Sequence, residues 1–158
     1  MGEKSYLALK ALHVIGVILF VGNLLVTALV KTLADRTREP AVVAFAQRLV
    51  AVTDVAFTGC GAALVALTGI LMIVPYEVEF WKLGWLMSGI GLFLVSGLVW
   101  VFLLLPLQLK QSRLARQFVR SGEIPAEYWR LGRLWMAYGT IATILPLINV
   151  FLMVLKPR

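Results

Sequence analysis

"YLALKALHVIGVILFVGNLLVTALV", residues 6–30, runs for 25 residues with Lys10 and His13 as its only side chains that carry charge near neutral pH. A hydrocarbon core of about 30 Å is crossed by roughly 20 helical residues. The stretch therefore reads as a membrane span. It is too long for the apolar core of a signal peptide, and no small-x-small cleavage site follows it. The same reading applies to residues 50–74, 83–107 and 135–155. Composition agrees: 61% of the chain is hydrophobic, 15% is charged, and the mean hydropathy is +0.91. Average soluble domains are nearer one half apolar and one quarter charged. The expected fold class is all-α, a polytopic bundle of four transmembrane helices forming a single domain over residues 1–158.

Lysine and arginine set the expected orientation. The 31–48 connection carries Lys31, Arg36, Arg38 and Arg48; the 108–133 connection carries Lys110, Arg113, Arg116, Arg120, Arg130 and Arg133. These are ten of the fifteen basic residues. The positive-inside rule places both connections in the cytoplasm and both termini in the periplasm of a bacterial inner membrane. Tyr76, Phe80, Trp81 and Trp85 read as one interfacial aromatic belt, and Tyr128, Trp129 and Trp135 as the other. The net charge of +7 belongs to this topology and to anionic lipid headgroups. No soluble basic domain exists to carry nucleic acid.

The connections read as helix extensions. Pro40 suits a first helical turn. "LQLKQSRLARQFVRSG" (107–122) keeps helical spacing through Leu107, Gln111, Leu114 and Phe118, and Gly122 is a natural end. Pro125 opens the last helix. A short cytoplasmic collar is expected.

Three helices carry a stripe of small and polar residues at steps of three and four. The first holds Lys10, His13, Gly16, Phe20, Asn23 and Thr27; the second Asp54, Thr58, Gly61, Val65, Thr68 and Met72. The fourth holds Trp135, Gly139, Ala142, Pro146, Asn149 and Met153. The third gives only Gly84, Ser88 and Gly91. Such residues collect where membrane helices touch, so these stripes are expected to face inward. Pro146 should kink its helix and free a carbonyl for a neighbour. For Asp54 an ion pair with Arg48 or Arg133 is expected.

His13 lies about two turns inside the outer boundary, roughly 10 Å at 1.5 Å per residue. An ionisable residue at such depth is a functional hypothesis by default; its plain alternative is a hydrogen bond across the bundle, for instance to Asn149. Thr68, Met72, Met87, Asn149 and Met153 share its half of the membrane. Imidazole with thioether suits haem iron, with His13 and Met72 as metal ligands and Lys10 placed for a propionate. Gly16, one turn deeper, is expected to leave room for a flat ring. Copper(I) accepts the same donors.

The opening stretch, together with "PLQLKQSRLARQ" (106–117) and "LINVFLMVLKP" (147–157), resembles a family of small bacterial integral membrane proteins of unknown function, over nearly the whole chain. "LKALHVIG" (9–16) is also similar to HemJ-type protoporphyrinogen oxidases and, more distantly, to CopD-type membrane proteins. The HemJ likeness implies haem b and an axial histidine in the first helix, the position of His13. Where those proteins carry a Leu-Pro-Arg segment, "GNLLVTALVK" (22–31) has neither Pro nor Arg, and no second histidine follows. That departure weighs against porphyrinogen oxidation more than against haem.

Ordinary catalytic constellations are absent. A single histidine excludes HExxH, one cysteine (Cys60) excludes an internal disulfide or CxxC zinc site, and no GxSxG elbow or phosphate loop occurs. "TGCGAALVALTG" (58–69) lies mid-helix and reads as packing, and no inverted repeat suggests a transporter. The expectation is a haem b-binding membrane protein of electron transfer or porphyrin handling, with His13, Lys10, Gly16, Met72 and Asn149 around the cofactor. Its candidate partners are a quinone or porphyrin, a second copy, or another membrane protein. The competing class is a membrane subunit or scaffold without catalysis.

Overall fold

The computed structural model describes residues 2–73 and 82–157. Four long helices make up almost all of it: α1 (Glu3–Thr37), α2 (Pro40–Ile73), α3 (Gly84–Ser121) and α4 (Ala126–Leu155). Each contains an apolar window long enough to cross a membrane, and no strand occurs among the described residues. The aromatic belt expected at Tyr76, Phe80 and Trp81 lies outside them. Trp85 is described, with Lys156 Nζ 5.4 Å from its ring centroid.

Local sequence explains the helix ends. Pro40 occupies the first turn of α2 after Glu39 caps it, and Pro125 caps α4 in extended geometry. Gly122 ends α3 in the left-handed region at φ 77°, where a side chain would be strained. The α1–α2 connection is thus a tight turn, and the expected collar consists of helix extensions.

Two turns depart from α geometry. Asp54–Gly59 in α2 and Trp100–Leu104 in α3 are π-helical. Pro106 accounts for the second: it has no N–H for the carbonyl four residues back, at Phe102, and its ring crowds that turn. A wider turn relieves the crowding. In α4 Pro146 likewise frees the carbonyl of Ala142, and the helix continues through it. Ser96 Oγ of α3 donates to that carbonyl at 2.9 Å. The acceptor expected from the sequence finds its donor across the α3–α4 seam.

Packing is paired. α1 lies along α2, and α3 along α4. The pairs join most fully at the end carrying the 38–39 and 122–125 turns, called here the connection end. There Pro40–Thr53 packs on Leu105–Ser121, and two apolar clusters form: Val43 with Ala115, Phe118 and Tyr128, and Val50 with Leu104, Trp135 and Ala142. Mid-bundle, the Phe20 and Phe93 rings meet edge to face at 6.2 Å. Leucine, valine, isoleucine and phenylalanine face outward along all four helices, as lipid solvation requires.

The stripes on α1, α2 and α4 face inward as expected, apart from Lys10, which is exposed. On α3 the expectation fails. Ser88 and Gly91 are exposed, while Gly89 and Ser96 face the bundle. Its first part, Gly84–Val99, is apolar all round, so the polar residues there gave no phase to read.

Candidate functional site

In the terminal half of the bundle α1 and α2 approach backbone to backbone. A Cβ on Gly61 would lie 2.9 Å from Phe20 N and 3.0 Å from Gly16 O, so only glycine fits. A Cβ on Gly16 would meet Val65 Cγ2 at 3.0 Å and Gly61 O at 3.1 Å. Gly16 therefore does not open room for a flat ring, as expected from sequence; the backbone of α2 fills that space.

One turn beyond this contact, His13 is half-buried and its Nδ1 lies 2.9 Å from Thr68 Oγ1. The Thr68 hydroxyl has one proton, which it gives to Leu64 O at 2.6 Å. It must then accept from His13, which puts a proton on Nδ1; in the neutral ring the lone pair is then on Nε2. That assignment follows from the hydrogen-bond network. The imidazole is held by α2, and not by Asn149.

The other expected members of the site separate. Asn149 Nδ2 donates to Gly89 O at 3.0 Å, within the α3–α4 pair, and Met153 packs on Gly89 beside it. Met72 stays on the His13 side, half-buried on the same face of α2 one turn past Thr68. Lys10 is exposed one turn from His13 on α1. Among the described residues no group of three His, Cys, Asp or Glu side chains could hold a metal.

Deeper in the bundle, Asp54 is buried without any cation. Its Oδ1 accepts from Asn23 Nδ2 at 2.9 Å and from Thr58 Oγ1 at 3.4 Å, and Asn23 Nδ2 also reaches Thr58 Oγ1 at 2.9 Å. This corrects the expected ion pair, because Arg48 and Arg133 are both exposed at the surface. Their long side chains keep the guanidinium in polar surroundings.

The most completely buried charge is one the sequence assigned to topology. Lys31 is 1% exposed, and its Nζ donates to Tyr128 OH at 2.8 Å and Gln47 Oε1 at 3.0 Å. Asp35, one turn on, pairs with it at 3.4 Å. Gln47 continues to Ser112 Oγ at 3.4 Å, so the network ties α1, α2, α3 and α4. Beside it Gln111 is fully buried, with neither amide atom bonded to the protein. Tyr128, expected at the interface, is fully buried against Phe118. A signal was present: the α1 stripe, continued from Thr27 by one turn, lands on Lys31.

No curated protein and no solved structure matches the chain. A family model described as "Predicted integral membrane protein (DUF2269)" matches residues 7–157. That match covers all four helices, including both buried polar networks, and the chain is therefore a member of this family of predicted integral membrane proteins.

Proposed function

We propose that the chain binds haem b through His13 and acts in electron transfer or porphyrin handling, in a bacterial inner membrane with both termini periplasmic. One observation carries this reading. Thr68, committed as a donor to Leu64 O, anchors His13 Nδ1–H, so in the neutral imidazole the lone pair available to a metal is the one on Nε2. Metal-bound histidines are oriented in this way, through a hydrogen bond from the other ring nitrogen. The similarity of "LKALHVIG" to the HemJ-type opening points to the same residue. The orientation rests on the ten basic residues at the connection end.

The donor set fits an iron. His13 binds, Thr68 orients it, and exposed Lys10 suits a propionate one turn nearer the termini. Met72 is the thioether on that side. Gly16 and Asn149 leave the cofactor shell, since both are committed to helix contacts. When bound, haem would supply one-electron chemistry.

A scaffold role is the second reading, favoured by the Gly16–Gly61 contact and the Lys31 network, which close the bundle with protein groups alone. An absorption spectrum of detergent-purified protein from haem-replete cells separates the two. Haem binding gives a Soret band with reducible α/β bands, lost in His13→Ala and perturbed in Thr68→Val. Colourless wild-type protein, or an unchanged band in His13→Ala, leaves the scaffold.

A further inference from the structure

A cleft of about 660 Å³ lies away from His13, between α2 and α3 at the connection end. That is within the roughly 300–1,000 Å³ of small-molecule sites. Its form follows from residue size: Ala44 and Ala51 of α2 and Ala115 of α3 leave a trough where larger side chains would close the seam. Phe45, 68% exposed, and Val52, 58% exposed, stand at its rim. Two cations, Arg48 and Arg116, also line it. Among the described residues the only ion pair is Lys31–Asp35, so neither guanidinium is neutralised by the protein.

We infer that this cleft is a binding site for an anionic phospholipid, its phosphate between Arg48 and Arg116 and an acyl chain over Ala51 and Val52. The charge pattern selects the headgroup: guanidinium forks match phosphate oxygens with paired hydrogen bonds. Basic pockets between membrane helices bind anionic lipid headgroups in this manner. The lining selects the rest of the ligand. A peptide in an apolar trough would leave its backbone amides unpaired, at a cost of a few kcal/mol each, whereas an acyl chain needs no partner. The helix direction agrees, since α2 runs from Arg48 through Ala51 and Val52 towards its apolar middle. The lipid thereby fills the seam between the two helix pairs.

The test is native mass spectrometry of the delipidated full chain in detergent, titrated with phosphatidylglycerol or phosphatidylcholine. Phosphatidylglycerol should bind more tightly by roughly tenfold or more, as two added cations near one phosphate imply. Arg48→Ala with Arg116→Ala should abolish that preference. Lys110→Ala with Arg113→Ala, an equal loss of charge on α3 outside the cleft, should keep it. Val52→Trp, at an exposed position, should weaken both lipids by blocking the trough. A preference that survives the Arg48/Arg116 change, or falls equally with Lys110/Arg113, overturns the site; so does binding indifferent to Val52→Trp. A tightly held protein in place of lipid overturns it as well. Unchanged far-ultraviolet circular dichroism checks the fold of each variant.

Discussion

The two ends of this bundle are closed by different physics. In the terminal half α1 meets α2 through Gly16 and Gly61, with hardly a side chain between the backbones. At the connection end the four helices meet through side chains, around Lys31, Gln47, Tyr128 and the apolar clusters of Val43 and Val50. Lipid supplies no hydrophobic force between helices, so association depends on close packing and on hydrogen bonds. One end uses the first, the other the second. Close packing is unforgiving of volume, and hydrogen bonding of lost partners.

The largest effect should come from the bonded end. Lys31→Met removes the donor that joins Gln47, Tyr128 and Asp35, leaving the Asp35 carboxylate without its cation and Gln47 Oε1 with only the 3.3 Å bond from Tyr128 OH. Removing one partner of a buried pair costs about 3–5 kcal/mol; the lower figure applies, because the Asp35 side chain keeps 23% exposure. Unfolding in mixed detergent, followed by circular dichroism, measures it. Adding Asp35→Asn should recover part of the loss, and no recovery would mean that charge is irrelevant to this end. Next comes Gly61→Ala, where the new methyl meets backbone and helices must separate: overpacking of this kind costs about 1–3 kcal/mol. Gly97→Ala in α3, with nothing within 4 Å, is the matched control and should be neutral or slightly stabilising. If both alanines behave alike, shape does not close the terminal end.

The smallest change is expected at Asp54. With no cation beside it, Asp54→Asn keeps an acceptor for Asn23 and Thr58 while removing a desolvated charge. Stability should move by less than about 1 kcal/mol, in either direction, on the scale of one hydrogen bond. A loss several times larger in the same unfolding assay would show that the carboxylate pairs with a cation after all.

Much of this arrangement was legible in the sequence. The four spans, the turns at Pro40, Gly122 and Pro125, and the inward faces of α1, α2 and α4 follow from hydropathy, turn chemistry and a period of 3.6 residues. The phase of α3 over Gly84–Val99 was not legible, because a helical stretch apolar on every side has no face to prefer. Lys31 was misread for another reason: positive charge near a span end counts as topology, and only the register of Thr27 reveals that this lysine points inward. Within the candidate site, His13 was legible by its depth. Its partner was not, since choosing Thr68 over Asn149 depends on which helices lie side by side. Gly16 suggested room for the same reason that it now indicates contact: an absent side chain leaves space that another backbone can take.

The bond from Ser96 to the Ala142 carbonyl bears on how the chain is made. A proline at position 146 leaves that carbonyl without its own helix's donor, and in hydrocarbon there is no water to replace it. While α4 stands alone in lipid, it carries this unpaired acceptor at mid-membrane. The donor sits on the helix synthesised just before it, so α3 and α4 satisfy each other as a hairpin. The bond needs neither α1 nor α2, so pairing of the last two helices is enough to remove the cost of that carbonyl.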